Sequence, residues 1–342
     1  MRRIPSLDGL RAISITLVVI GHLVKWNHIP DELIGHYGAL GVFVFFVLSG
    51  YLITNLLLRE YERSSTISLR TFYVRRAFRI FPAAFVFLIV VTVFYWREMT
   101  WYHVAAAVFY VANMDPARPW IFGHLWSLSI EEQFYLLWPF AFKKWYRYKT
   151  AIAASVMVAT PLFYTALYAL KLRNVLLASL PAYASQLAVG CLLAILAPRL
   201  PKIRGYFALM MLAAIFLIPT FPATSPMRTL ISLFILGPVL HFSVAGVVLH
   251  VTQVPYRFLN CAPVAWLGRV SYSLYLWQEL FCSNPTLHLG FLLALPALAC
   301  ASLSYYIVEQ PMLRLRDKIA CSSAIGRPPK TLPEVAPDRI AV

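Results

Sequence analysis

Long apolar runs, broken by short polar stretches, dominate the pattern of this chain. Runs of roughly 17–25 apolar residues, the length at which a helix crosses the hydrocarbon core of a bilayer, fall at about 8–26, 38–58, 80–96, 128–143, 150–170, 180–198, 205–222, 228–250, 266–284 and 287–308. The pattern predicts an all-α polytopic membrane protein of about ten transmembrane helices, because only a helix satisfies its own backbone in lipid. The run at 104–113 is too short to cross and is expected to be re-entrant or interfacial. Residues 1–319 are expected to form one membrane domain, with no internal repeat and no second folded unit. Residues 320–342 are rich in proline, lack periodicity, and are expected to be a disordered cytoplasmic tail.

Composition removes the soluble alternatives. The 342 residues are 60% hydrophobic and 13% charged, against about a quarter charged in a soluble domain. The net charge of +16, from 30 Lys and Arg against 14 Asp and Glu, would suggest a nucleic-acid partner if it formed one soluble patch. Topology explains it better, and no nucleic acid is expected. With the amino terminus in the cytoplasm, most basic residues fall on that side, leaving Lys25, Arg97, Arg118, Lys171, Arg173 and Arg228 outside. Both termini are therefore predicted to be cytoplasmic. The first apolar segment is expected to be retained rather than cleaved, since Pro5, Asp8 and Arg11 interrupt its start. The five cysteines, Cys191, Cys261, Cys282, Cys300 and Cys321, show no metal-ligand spacing and are read as core fillers, so no metal is expected.

Ionisable residues at membrane depth are costly and usually mark function. Arg11 and His22 share the first span, eleven residues apart, which puts them within about 20° on one helix face and about 16 Å apart along it. His22 suits a general base near neutrality, or else simply bonds to a neighbouring helix. Arg11 would orient a bound group, or pair with Asp8 and snorkel. In SLRTFYVRRAFRIFP, Arg75 and Arg79 share a face by their spacing and Arg76 flanks them. That patch reads either as an anchor on anionic membrane lipids or as a phosphate site for a nucleotide-bearing cofactor such as coenzyme A. GHLWSLSIEEQFYLLWP brings His124, Ser127, Glu131 and Glu132 together at the entrance to a span. Glu132 reads equally as a helix cap, and Glu131 as a group holding a histidine tautomer or a sugar hydroxyl. Ser49 and Gly50 in FFVLSGYLIT read first as packing residues, with Ser49 alternatively facing a reaction cavity.

Six segments in order, LDGLRAISITLVVIGH, FFVLSGYLIT, FYVRRAFRIFP, HLWSLSIEEQFYLLWP, SYSLYLWQ and YYIVEQP, resemble acyltransferase family 3. These integral membrane proteins move acyl groups from acyl-coenzyme A to hydroxyls of cell-envelope and exported glycans. The resemblance implies that Arg11 and His22 are essential to catalysis, that Arg75, Arg76 and Arg79 hold the donor, and that Phe46, Ser49 and Gly50 and then Ser127, Glu131 and Glu132 complete its motifs. It also implies a bacterial inner (plasma) membrane location. The chain departs from the pattern at Gln278, where His is usual, and at Gln310, where Arg is usual; both keep hydrogen bonding and lose charge. A stand-alone form without a hydrolase-like extension is expected.

The expected reaction is O-acylation of a glycan or lipid-linked glycan. Acyl-coenzyme A, acetyl-coenzyme A by resemblance, docks from the cytoplasm on Arg75, Arg76 and Arg79, with Ser49 in the same group of donor contacts. His22 deprotonates the acceptor hydroxyl while Ser127 or Arg11 supports the oxyanion. The rival reading is a transporter or flippase for a lipid-linked glycan, since ionisable groups also line substrate pathways.

Overall fold

The computed structural model describes residues 5–26, 36–170, 179–218, 225–284, 286–287 and 289–325. Among the described residues there are helices and no strands: α1 (Pro5–Trp26), α2 (His36–Ser64), α3 (Leu69–Tyr95), α4 (Trp101–Val108), α5 (Leu125–Lys144), α6 (Lys149–Ala169), α7 (Leu180–Leu196), α8 (Gly205–Leu217), α9 (Pro226–Ile231), α10 (Gly237–Gln253), α11 (Arg257–Asn260), α12 (Ala262–Cys282), α13 (Ala294–Ser304) and α14 (Gln310–Ile325). π-helical turns at Ser232–Leu236 and Tyr305–Glu309 join α9 to α10 and α13 to α14. The last helix runs into the segment expected to be a tail, whose residues 326–342 lie outside the described residues.

Seven helical stretches are long and apolar enough to cross a membrane: Ser6–Val24, Tyr37–Ser64, Leu69–Glu98, Tyr146–Leu167, Leu180–Arg199, Met227–Gln253 and Gly290–Ile319. The ten expected from the sequence are therefore not all met on that ground. The three that fall short are α5, α8 and α12. Helices α5 and α12 are 20 and 21 residues long, but Glu131, Glu132, Lys143 and Lys144 dilute the first, and Arg269, Gln278 and Glu279 the second. Only 13 residues of α8 are described. Helix α4 has eight residues, too few to cross, in keeping with the short run at 104–113.

The outer surface carries large apolar side chains such as Ile89, Phe94, Leu136, Leu209 and Leu303, all exposed, as lipid contact requires. Polar groups turn inward instead. Helix α1 lies between α2 and α12, and α2 packs on α7, so the first helix of the chain is central rather than peripheral. Four apolar clusters surround this arrangement, and α1, α2, α3, α5 and α12 each contribute to at least one of them.

Helix α3 corrects the expected span at 80–96, since it begins at Leu69, capped by Ser68 accepting from the Thr71 amide, and carries the arginine segment within it. Its inward stripe runs Phe72, Ile80, Ala83, Phe87 and Val91, at steps that return to one face of a 3.6-residue helix. Arg76 and Arg79 fall along that stripe. Arg75 does not, and it is exposed. The pair that shares the useful face is thus Arg76 with Arg79, rather than Arg75 with Arg79. The acids of α5 also differ from expectation: the helix starts at Leu125, so Glu131 and Glu132 lie two turns inside it and neither caps its end.

Helices α2 and α7 cross closely, where a β-carbon on Gly50 would stand 2.0 Å from the Leu187 carbonyl and one on Gly190 2.1 Å from the Val47 carbonyl. The packing role expected of Gly50 follows from that contact. Gly50→Ala is expected to destabilise the fold by about 1–3 kcal/mol, the usual cost of overpacking. The thermal midpoint of the detergent-solubilised protein should fall, and an unchanged midpoint would contradict this crossing.

Candidate functional site

Five helices converge on one internal cavity of about 710 Å3, counting the space open at its mouth. Helix α1 contributes Arg11; α3 contributes Arg76 and Arg79; α2 contributes Ser49 with Phe45 and Phe46. Helix α5 supplies Ser127, Glu131 and Tyr135, and α12 supplies Ser271, Tyr272 and Tyr275. Arg11, Ser49, Arg76, Arg79, Ser127 and Glu131, all candidates from the sequence, therefore meet here. Arg75 and His22 are not among the lining residues.

The cationic side of the cavity is a cluster of three guanidiniums, with Arg11 and Arg76 both near enough to Arg79 to repel it. Acids and aromatic faces hold them in place. The Arg76 guanidinium lies over the Tyr135 ring, 3.7 Å from its centroid, and its Nε is 4.0 Å from Glu132 Oε1. Neither of those two atoms has a hydrogen-bond partner, although both are buried. Glu309, at the π-helical turn, is near enough to attract Arg79 by its charge and accepts a bond from Ser273. Three guanidiniums lining one cavity fit an anion with several oxygens, such as a phosphate group.

The acidic side is a short hydrogen-bonded chain. Ser49 donates to Glu131 Oε1 at 2.5 Å and accepts from the Tyr135 hydroxyl at 2.8 Å. Ser49 thus faces the cavity while its hydroxyl is already engaged. Ser127 lies within hydrogen-bond reach of the Tyr275 hydroxyl, and both touch the His124 carbonyl, at 3.2 and 3.0 Å.

His22 stands one helical turn beyond this wall, where Gln278 and Glu279 follow Tyr275 by three and four residues along α12. His22 Nδ1 lies 2.7 Å from Gln278 Oε1 and 3.1 Å from Glu279 Oε2. Both neighbours are acceptors, because the Gln278 amide nitrogen already donates to Glu279 at 3.1 Å. The neutral imidazole therefore carries its proton on Nδ1 and its lone pair on Nε2. The acid at the His22 ring is Glu279, whereas Glu131, the one considered for that task, is bonded to Ser49.

Sequence reasoning missed Glu279, although an acid within an apolar segment next to the unusual Gln278 was a visible signal. It also passed over Tyr135, Tyr272 and Tyr275, for which one sequence gives no signal, since buried tyrosines at helical spacing read as core. His124 was noted only within its segment; it is buried, with its ring against Phe87 and Tyr275. Among the described residues no set of three His, Cys, Asp or Glu side chains converges as metal ligands.

Several known proteins are similar to this chain. The chain is 28% identical to the peptidoglycan O-acetyltransferase OatA of Listeria monocytogenes, over 90% of this chain and 56% of that protein. It is 28% identical to YrhL of Bacillus subtilis, described as a "putative peptidoglycan O-acetyltransferase", over 91% of this chain and 55% of that protein. A "putative O-acetyltransferase" of Staphylococcus aureus is 43% identical over 41% of this chain and 24% of that protein. The chain spans about half the length of the first two and a smaller share of the third. No solved structure matches it. A family model described as an acyltransferase domain matches residues 4–310, which takes in the cavity, His22 and the six ordered motifs up to Gln310 of the last, and the chain therefore belongs to acyltransferase family 3.

Proposed function

We propose that this protein is a membrane O-acetyltransferase that moves an acetyl group from acetyl-coenzyme A to a hydroxyl of a cell-wall glycan, with His22 as the general base. The observation that carries the reading is the shared wall: Arg11, Arg76 and Arg79 gather in one cavity, and His22, on the same helix as Arg11, bonds to Gln278, one turn beyond Tyr275 of the cavity wall. The names of the relatives support acetyl as the group and peptidoglycan as the acceptor class. In this reading α5, α8 and α12 also cross the membrane, completing ten spans with both termini in the cytoplasm of a bacterial inner membrane. Residues 320–342 are then a tail outside the membrane domain.

The donor's phosphates bind Arg76 and Arg79 through charge-assisted bonds, with Arg11 completing the anion site. Ser49, Glu131 and Tyr135 hold these cations at fixed positions. The thioester lies toward His22, and the glycan reaches it from the outer side. His22 Nε2 takes the hydroxyl proton as the acceptor oxygen attacks the thioester carbonyl. The negative charge on that oxygen is met by Ser127 and Tyr275, whose hydroxyls turn from the His124 carbonyl to the oxyanion. The carbon–sulfur bond then breaks, and the proton on His22 passes to the departing thiolate. No covalent acyl-enzyme is required.

His22→Ala is expected to lower turnover at least about 10³-fold while the protein remains folded in the membrane. Acetate released by base from isolated peptidoglycan measures it, and normal acetylation in that variant would contradict the mechanism. Arg76→Ala and Arg79→Ala are each expected to raise the donor KM about 10- to 100-fold, the loss of roughly 1.5–3 kcal/mol of charge-assisted bonding. Arg75→Ala should leave it unchanged. Equal effects at all three positions would return the arginines to membrane anchoring. A transporter would move glycan without consuming acetyl-coenzyme A, so acetyl-coenzyme A consumption that depends on acceptor separates the two readings.

A further inference from the structure

Glu279 has no role in any of the six motifs, yet it is the most tightly enclosed acid next to His22. It is 5% exposed, and its Oε2 lies 3.1 Å from His22 Nδ1 and 3.7 Å from His124 Nδ1. The other oxygen rests against Gly123, where a β-carbon would come within 2.6 Å of it. A buried carboxylate is costly unless paired and hydrogen-bonded. An acid kept only for packing or ion pairing would be expected to meet an arginine or lysine at contact distance. Among the described residues its ion pairs within 4.0 Å are with two imidazoles, His22 from α1 and His124 from the start of α5, while Arg118 in the preceding loop acts on Glu279 through its longer-range charge. The neighbouring Gln278 adds a second acceptor at the same His22 nitrogen, 2.7 Å away, and donates its amide to Glu279.

We propose that Glu279 is a positioning residue for His22. With Gln278 it keeps the proton on Nδ1, fixes the ring, and turns the Nε2 lone pair toward the acceptor hydroxyl. Its charge then stabilises the imidazolium that forms when His22 takes the proton. Carboxylates and carbonyls that orient a histidine act in this way generally, by selecting a tautomer and raising its basicity in the transition state. Gly123 is part of the device, since a β-carbon there would stand 2.6 Å from the Glu279 carboxylate and 2.7 Å from the Trp120 carbonyl. Gln278, standing where the resembled family usually has His, becomes an acceptor that a protonated ring nitrogen could not be.

This inference rests on His22 being the base, and the experiment separates the two claims. Full-length protein in lipid nanodiscs is supplied with acetyl-coenzyme A and a soluble peptidoglycan oligosaccharide. Glu279→Gln, which keeps size and shape, is expected to lower kcat about 10²-fold with the donor KM unchanged within about twofold. Glu279→Asp should recover part of that loss. The double variant with His22→Ala should be no slower than His22→Ala alone, because both act on one step. Nitrogen-15 spectra of labelled histidine should show His22 protonated on Nδ1 in the native protein and a mixed tautomer in Glu279→Gln. Gly123→Ala, which leaves the acid and the base intact, should reproduce the kcat loss and serves if Glu279→Gln does not fold. Native kcat in Glu279→Gln or, failing that variant, in Gly123→Ala, beside an inactive His22→Ala, would overturn the proposal while leaving the base in place. A raised donor KM at unchanged kcat would overturn it too. An active His22→Ala would instead remove the reading on which it rests.

Discussion

Three arginines cannot be held inside an apolar helix bundle without groups that compensate their charge, and most of the polar design of this fold follows from that requirement. Glu131, Glu132 and Glu309 supply the charge, Tyr135 offers an aromatic face to Arg76, and Ser49 and Ser273 bond to two of the acids. The compensation is incomplete at one point, where Arg76 Nε and Glu132 Oε1 remain buried without hydrogen-bond partners. The same requirement explains why α5 and α12 are less apolar than the spans around them: they are the helices that carry the acids and hydroxyls.

Helix α1 links the two halves of the site. Its position between α2 and α12 lets one straight element present Arg11 to the cavity and His22 to Gln278 and Glu279. Helix α12 runs beside it with Ser271, Tyr272 and Tyr275 in the cavity wall and the His22 partners one turn beyond. A rigid pair of helices therefore sets the separation between the anion end and the base. Packing without room for a β-carbon fixes neighbouring helices as well, at Gly50 with Gly190 and at Gly123 with Glu279.

Much of this was legible in the sequence because membrane depth makes polar residues conspicuous. Arg11, His22, Ser49, Arg76, Arg79, Ser127 and Glu131 stand out for that reason, and all but His22 line the cavity. What stayed hidden depended on helix start and phase. Arg75 and Arg76 are adjacent, and only the stripe through Phe72, Ile80 and Ala83 selects Arg76. Glu132 looks like a cap until the helix is seen to begin at Leu125. Seven of the ten expected spans meet the length and apolarity of a crossing helix, while α5, α8 and α12 combine apolar stretches with polar residues or a short described length. Glu279 needed a contact between residues 256–257 positions apart in the chain, which periodicity within one helix cannot reveal.

The central claim is that a single donor molecule extends from the arginine cavity to His22 along α1 and α12. A structure of the full-length protein in nanodiscs with a non-hydrolysable acetyl-coenzyme A analogue tests it most directly. The account predicts phosphate density at Arg11, Arg76 and Arg79 and the acetyl end beside His22 Nε2. Phosphates bound at Arg75 and the exposed cytoplasmic surface, with the acetyl end remote from His22, would contradict it.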